Sequence, residues 1–271
     1  ARIKDQTRAL ARELGVIGLM NIQYAVRGSD VYLLEVNPRA SRTVPFVSKA
    51  IGAPLAKLAA RVMAGRTLRE LGFTEDPTPA YVSAKEVVLP FIKFPGVDIL
   101  LGPEMRSTGE VMGIDATMGL AYAKSQIAAG NTLPTKGTVF LSLKRQHPGG
   151  EEEIARGLTA LGFRILATEG TAARLAALGI AAEQVAKVGE SRPNILDRII
   201  NGDVDWIVNT PLGGDAKEDE KALRRAAIER GIPIMTTLAA ARAGLAGIKA
   251  LRESTAHVLS LQEYHAGTFG K

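Results

Sequence analysis

An acid, an amide and an arginine occupy alternate positions at the point where a short apolar stretch ends. The stretch is 31–36, and the three polar side chains are Glu35, Asn37 and Arg39. Because side chains alternate along a β-strand, residues two apart lie on the same side. Carboxylate and amide oxygens beside a guanidinium are groups that bind Mg²⁺ and phosphate oxygens. The pattern therefore predicts a site for a metal and a phosphate.

The preceding apolar stretch, 16–26, is predicted to pair with this one as a hairpin. Residues of the kind that close tight turns separate the two stretches at 27–30. A turn centred on Ser29 places Gln23 opposite Glu35 on the neighbouring strand, with Cβ atoms roughly 5 Å apart. The predicted metal site thus gains a second amide oxygen.

These groups suit a divalent cation that also touches substrate phosphates. Gln23, Glu35 and Asn37 supply oxygen ligands for Mg²⁺ or Mn²⁺, and Arg39 and Arg42 follow the strand end, where they can hold phosphate oxygens in pairs. Spacing alone leaves an alternative open, in which the acid and amide close a surface hairpin and both arginines are solvated.

Composition restricts the class of protein. The chain has 271 residues, 46% of them hydrophobic, which is enough for one large or two ordinary domains. Scattered basic residues, a net charge of +6 and 5% aromatic residues favour small phosphorylated ligands over a polynucleotide. There is no cysteine, no signal-peptide pattern and no apolar run of about 20 residues. We therefore expect a cytoplasmic protein that binds neither nucleic acid nor a membrane.

The second half of the chain alternates between strand and helix patterns. Such alternation predicts a doubly wound parallel sheet covered on both faces, with ligands beyond the carboxyl ends of its strands. The predicted strands are 138–143, 164–167, 205–209 and 232–237. Gly130, Asn131 and Pro134 form the clearest linker pattern, which predicts domains 1–130 and 131–271.

Polar side chains stand where these predicted strands end. The candidates for binding a phosphorylated small molecule are Lys144, Thr168, Thr171, Asn209 and Thr236. Hydroxyls and amides at a helix N-terminus, strengthened by nearby cations, make an anion site. The alternative is that the hydroxyls are ordinary helix N-caps, each contributing about 1 kcal/mol of helix stability.

Two long motifs carry a family resemblance. EVNPRASRTVPFVSKAIGAPLAKLAARVMAG (35–65) and AKEVVLPFIKFPGVDILLGPEMRSTGEVMGID (84–115) resemble the end of an ATP-grasp domain in the carbamoyl phosphate synthetase large-subunit family. From 131 onward the chain resembles the methylglyoxal-synthase-like domain of that family. The resemblance implies an α/β fold: a partial ATP-grasp domain (α+β, with an antiparallel hairpin), then a doubly wound parallel-sheet domain.

The resemblance also assigns residues. It places metal ligands on Gln23, Glu35 and Asn37, and a phosphate-binding catalytic arginine on Arg39. The nucleotide-effector positions that it implies are Thr168, Thr171, Lys187 and Asn209, and Glu86 is implied for ornithine. On pattern alone, Glu86 could instead lie on the solvent side of a predicted strand at 82–90, and Lys187 in a polar loop. Pro211 departs from the pattern and leaves the choice between uridylate and inosinate open.

The implied function is that of a C-terminal portion of a glutamine-dependent ATP ligase serving pyrimidine and arginine biosynthesis. Carbamate phosphorylation would use ATP with Mg²⁺ or Mn²⁺, with K⁺ as a further candidate cofactor. Its partners would be the remainder of the large subunit, a glutaminase small subunit and the effectors. The chain starts just before the hairpin and lacks the family's glycine-rich loop, so we expect an inactive fragment.

Two alternatives stand beside this hypothesis. One is a stand-alone regulatory nucleotide-binding module without catalysis. The other is a lyase of the methylglyoxal synthase type, which the resemblance disfavours because Thr210 stands where that enzyme has an aspartate.

Overall fold

The computed structural model describes residues 2–88, 109–144, 150–210, 217–254 and 256–267. The chain divides into two compact units. The first unit is Ala1–Ala80 with Leu259–Lys271, and the second is Tyr81–Val258. No helix among the described residues is long and apolar enough to cross a membrane.

The first unit is built around a β-hairpin. Its elements are α1 (Arg2–Glu13), β1 (Asn21–Arg27), β2 (Asp30–Asn37), α2 (Thr43–Ile51), α3 (Leu55–Met63) and α10 (Leu261–His265). The predicted hairpin is confirmed, but its first strand begins at Asn21 rather than at residue 16. Gly52 ends α2 with φ 69°, a left-handed conformation that a glycine adopts without strain.

The hairpin register brings Gln23 opposite Glu35, as predicted, although the turn is centred between Gly28 and Ser29 and not on Ser29. The tight turn pairs Arg27 with Asp30, and Gly28 takes the positive φ of 61° that such a turn requires. This turn alone would shift every pair by one position. An irregularity in the register between Gln23 and Tyr24 restores the predicted pairing at the metal-site residues.

The second unit begins with an antiparallel pair and a helix. β3 (Val82–Val87) pairs with β4 (Glu110–Asp115), and α4 (Met118–Ala128) packs against both strands. Gly113 in β4 allows the close approach, because a Cβ at that position would lie 2.0 Å from the backbone oxygen of Ala121 in α4.

A five-stranded parallel sheet forms the rest of this unit, in the order β7-β6-β5-β8-β9. Its strands are β5 (Thr138–Ser142), β6 (Arg164–Ala167), β7 (Glu183–Gln184), β8 (Trp206–Asn209) and β9 (Ile234–Met235). The connecting helices are α5 (Gly150–Ala160), α6 (Glu169–Ala177), α7 (Ile195–Ile200), α8 (Lys217–Glu229) and α9 (Leu238–Glu253). The sequence pattern missed β4, β7 and α7, and it predicted β9 too long.

The core lies on both faces of the sheet. Val139 and Leu141 in β5 belong to one buried cluster, whereas Phe140 between them belongs to the other. The fold class predicted for the second half is therefore confirmed. Helix α4 packs against α9 in this same compact unit. The domain boundary predicted between 130 and 131 stays a prediction.

Candidate functional site

The hairpin site comprises Gln23, Glu35, Asn37, Arg39 and Arg42. Gln23 and Glu35 are exposed and Asn37 is half-buried. The Asn37 Nδ2 donates a hydrogen bond to Glu35 Oε1, and the Arg39 Nη2 donates to Asn37 Oδ1 over 3.4 Å. The structure thus brings the predicted acid, amide and arginine together at the end of β2.

The composition of this site fits a metal that is shared with a phosphorylated substrate. It offers one carboxylate and two amide groups, a donor set that Mg²⁺ completes with phosphate oxygens and water. The described residues contain no group of three or more His, Cys, Asp or Glu that could hold a metal by themselves. Glu35, Asn37 and Gln23 would therefore be partial ligands of such a metal, and most of its coordination would come from the substrate side.

The two arginines stand where an anion would approach. Both are exposed, and the Arg39 guanidinium lies along the chain, donating from Nη1 to the Ala40 oxygen over 3.0 Å. Arg42 occupies the N-cap of α2, whose first turn contains no acidic residue. A phosphate near this helix N-terminus would be favoured by both guanidinium charges and by the helix dipole. Phosphate binding by Arg39 and Arg42 stays a prediction.

The sheet-edge site comprises the predicted residues at the carboxyl ends of the parallel strands. Thr168 directly follows β6, Asn209 ends β8, and Thr236 directly follows β9. Because β6 and β8 pair in parallel with β5, and β9 pairs in parallel with β8, the carboxyl ends of these strands share one edge. The chain order reverses direction at β5, which has β6 on one side and β8 on the other. Ligands of open α/β sheets bind at such a reversal.

Thr168 and Thr171 form the buried centre of this site. Their exposed fractions are 6% and 2%, and their hydroxyl oxygens lie 3.3 Å apart. Thr168 is the N-cap of α6, yet its side chain makes no capping hydrogen bond. Thr237, by contrast, caps α9 by accepting from the Ala240 N–H over 3.1 Å. The ordinary-cap interpretation therefore describes Thr237 and fails for Thr168.

Asn209 adds a buried donor without a partner. The residue is 3% exposed, and its Nδ2 makes no hydrogen bond within the described residues. Leaving such a group unpaired costs about 1–3 kcal/mol, so an orphaned donor calls for an explanation. Asn209 pairs with Ser142 in the register of β8 with the central strand β5. A ligand that accepts a hydrogen bond at this edge would satisfy it.

The remaining predicted residues lie at the rim. Lys187 is exposed, and its Nζ lies 3.4 Å from Glu190 Oε1. The backbone N–H of Lys187 also donates to Glu190, which is the main reason that the Glu190 pKa lies below its usual value. The Lys144 N–H donates to Thr210 Oγ1 over 2.6 Å, which ties the ends of β5 and β8 together. Thr236 is exposed. Pro211 lies outside the described residues.

Comparison with known proteins finds two families, each of which matches a separate part of the chain. Residues 1–71 match the family described as carbamoyl-phosphate synthase L chain, ATP binding domain, and residues 151–236 match the MGS-like domain family. The carbamoyl phosphate synthase large chain of Rhodopirellula baltica is 55% identical to this chain over 98% of its residues. The large chain of Archaeoglobus fulgidus is 54% identical over 97% of them.

The chain belongs to the carbamoyl phosphate synthase large-chain family. It spans about a quarter of the length of those relatives, 25% and 24% respectively. The matched part comprises the end of the ATP-binding domain and the MGS-like domain, which confirms the predicted family and fold. The first part matches a family described as an ATP binding domain, whereas the individual site residues stay predictions.

Glu86, the ornithine candidate of this large-chain family member, lies in β3, and its side chain is on the face that packs against α4. It is half-buried, and its Oε2 accepts a hydrogen bond from Gln126 Nε2 over 2.6 Å. Its neighbour Lys85 is exposed and pairs with Glu110 over 2.5 Å. Because adjacent strand residues point to opposite faces, only Lys85 occupies the solvent side. The carboxylate of Glu86 is held in place by α4.

Tyr122 provides a pH test of this region. Burial, followed by the negative charge of Glu86, raises the pKa of Tyr122 from its ordinary value of 10.0 to about 12. Spectrophotometric titration at 295 nm should show an ionisation near pH 12 that Tyr122→Phe removes. Because the pKa of Tyr122 is higher in the folded than in the unfolded protein, its contribution to the free energy of unfolding is complete below pH 10. That contribution is lost as pH rises from 10 towards 12, by about 1.4 kcal/mol per pH unit. Tyrosinate formation by Tyr122 near pH 10, while far-UV circular dichroism stays native, would contradict this.

The sequence pattern missed one functional candidate, Arg174. Its guanidinium donates from Nη2 to Thr171 Oγ1 over 3.3 Å and from Nε to Glu151 over 2.9 Å. The available signal was spacing, because residues three apart on a helix are neighbours. Thr171 is a predicted site residue, and Arg174 lies one helical turn after it on the same face of α6.

Proposed function

We propose that the sheet-edge site binds the phosphate of a regulatory nucleotide. The observation that carries the proposal is the unpaired Asn209 Nδ2, which is buried at the same strand edge as the Thr168 and Thr171 hydroxyls. A phosphate dianion only accepts hydrogen bonds, so it is complementary to a cluster of donors. The effector classes proposed are uridylate and inosinate.

The first turn of α6 supports the same ligand. Because Thr168 leaves the initial N–H groups of this helix uncapped, they are available to an anion. Gly170 leaves the approach open, since a Cβ there would meet nothing closer than Arg174 Nη1 at 3.7 Å. Lys144 and Lys187 at the rim add positive potential, which strengthens anion binding at short range.

We propose that the hairpin site forms one wall of the ATP site at which the whole ligase phosphorylates carbamate. Arg39 and Arg42 would bind phosphate oxygens, and Gln23, Glu35 and Asn37 would orient them through Mg²⁺ or Mn²⁺, with K⁺ as a further candidate. The bound cation would neutralise charge that builds up during phosphoryl transfer. The proposed partners are the remainder of the large chain and a glutaminase small subunit, and the proposed location is the cytoplasm. Glu86, in the second unit, is proposed to bind ornithine.

Calorimetric titration of the full chain with uridylate, inosinate and ornithine, separately, tests the regulatory part. We expect saturable binding of one nucleotide and about tenfold weaker binding to Asn209→Ala, the loss of roughly one hydrogen bond. Thermal stability without ligand should change little, because Asn209 Nδ2 has no protein partner to lose among the described residues.

Thr237→Ala is the matched control at a neighbouring strand end. It removes a helix cap, so stability should fall by about 1 kcal/mol while nucleotide affinity stays unchanged. Equal nucleotide affinity in wild type and Asn209→Ala, or no binding to wild type, would contradict the proposal. Carbamoyl phosphate formation by the whole ligase, lost on Arg39→Ala, would separate the ligase from a stand-alone regulatory module.

A further inference from the structure

Arg174 connects the three chain segments that border the sheet-edge site. Its Nε donates to both carboxylate oxygens of Glu151 in the first turn of α5, over 2.9 Å each. Its Nη1 donates to the Gly170 oxygen over 2.8 Å, and its Nη2 donates to the Leu143 oxygen over 2.7 Å. The Glu151 pair balances the guanidinium charge. Arg174 is therefore a rigid, neutralised clamp more than a free cation.

The same clamp acts on the hydroxyl of Thr171. Thr171 Oγ1 accepts from the Leu143 N–H over 3.2 Å and from Arg174 Nη2 over 3.3 Å. A threonine hydroxyl has two lone pairs and one proton. Since N–H donors occupy both lone pairs, Thr171 is left with only its proton to offer. It has become a fixed hydrogen-bond donor.

Thr168 adds a further donor, because its hydroxyl donates to Thr171 Oγ1 over 3.3 Å. The oxygen of Thr171 is therefore fully engaged as an acceptor, and only its own proton remains for a ligand. An anion at the first turn of α6, which Thr168 does not cap, would accept that proton. The hydroxyl of Thr171 is thus oriented to give a hydrogen bond before any ligand arrives.

We infer that Arg174 is a positioning residue of the sheet-edge site, which fixes Thr171 as a hydrogen-bond donor and so selects an anionic ligand that only accepts. The inference rests on the proposed phosphate binding and names the residue that organises it. Arg174 acts through Thr171 and need not touch the ligand.

The test is a double-mutant cycle on the full chain, with inorganic phosphate as the probe and backbone amide NMR shifts at 168–171 as the readout. Glu151→Gln with Arg174→Met removes the clamp without leaving an unpaired carboxylate, and Thr171→Val removes the hydroxyl. Each change should weaken phosphate binding about tenfold, the equivalent of one hydrogen bond to a charged group. Combined, they should still weaken it only about tenfold, because they remove the same donor.

A loss of about a hundredfold in the combined variant would show that Arg174 acts independently of Thr171 and overturn the inference. So would wild-type affinity after removal of the clamp. If wild-type protein does not bind phosphate saturably, the proposed function falls as well, which distinguishes the two failures.

Arg174→Lys keeps the test decisive if Thr171→Val does not fold. Lysine keeps the positive charge opposite Glu151, but its single nitrogen cannot serve Glu151, Leu143, Gly170 and Thr171 together. The inference expects the same tenfold loss of phosphate affinity as in the clamp-free variant. Wild-type affinity in Arg174→Lys would mean that charge alone is needed, and it would overturn the inference.

Discussion

Replacing Gly113 by alanine is expected to destabilise the second unit by about 3 kcal/mol or more. The added Cβ would lie 2.0 Å from the Ala121 oxygen and 2.5 Å from the Ser125 nitrogen, and both atoms belong to the backbone of α4. No side-chain rotation can relieve these contacts, so the helix must move off the strand. Urea unfolding followed by the fluorescence of the single tryptophan, Trp206, reports on this unit because Trp206 is fully buried there.

Gly170→Ala is the control for this substitution. A Cβ at Gly170 meets only Arg174 Nη1, at 3.7 Å, and alanine favours a helix by up to about 1 kcal/mol over glycine. Its unfolding midpoint should therefore stay or rise. A Gly113→Ala protein that unfolds at the wild-type urea concentration would show that α4 does not pack on β4 at this distance.

Lys124→Met is expected to cost about 3–5 kcal/mol, because it leaves a buried carboxylate without its cation. The Lys124 Nζ lies 2.5 Å from Asp115 Oδ2, and the two side chains are 15% and 9% exposed. The same ammonium donates to the backbone oxygens of Ile114 and His257, so three groups lose a partner together. The measurement is the free energy of unfolding in urea, again from Trp206.

Two further variants separate charge from shape. Adding Asp115→Asn to Lys124→Met removes the stranded charge, so a substantial part of the stability should return. Lys249→Met removes an exposed lysine, 66% accessible and 3.9 Å from Glu253, and should change stability by less than about 0.5 kcal/mol. Equal losses for Lys124→Met and Lys249→Met would contradict the importance of burial.

The hairpin shows how a sequence prediction can be right about a contact and wrong about its cause. Gln23 and Glu35 were predicted to pair from a turn centred on Ser29, whereas the turn pairs Arg27 with Asp30. An irregularity in the register between Gln23 and Tyr24 moves the pairing back by one position. Alternation of apolar residues specifies which face is buried, but it does not reveal an extra residue within a strand. The pairing at the site followed from two displacements that cancel.

At the sheet edge, the sequence predicts which residues lie at the strand ends, but it does not predict which of their hydrogen bonds are made. Strand–helix alternation placed Thr168 and Asn209 at strand ends, because parallel strands share one carboxyl edge. The unmade cap at Thr168 and the unpaired Asn209 amide depend on tertiary geometry, which composition and spacing do not contain. Strand β7 escaped prediction because two residues are too short for a periodic signal.

The position of α4 has a consequence for how such genes can be recombined. This helix packs against β3 and β4 and also against α9, where Gly119 and Gly247 allow the two helix backbones to approach closely. A crossover near residue 130 would join an α9 from one parent to an α4 from another, across an interface without room for a new side chain. A crossover near residue 80 would instead leave residues 81–258 together from one parent, so this helix interface would stay intact. Chimaeras between large chains should therefore survive more often when residues 81–258 come from a single parent.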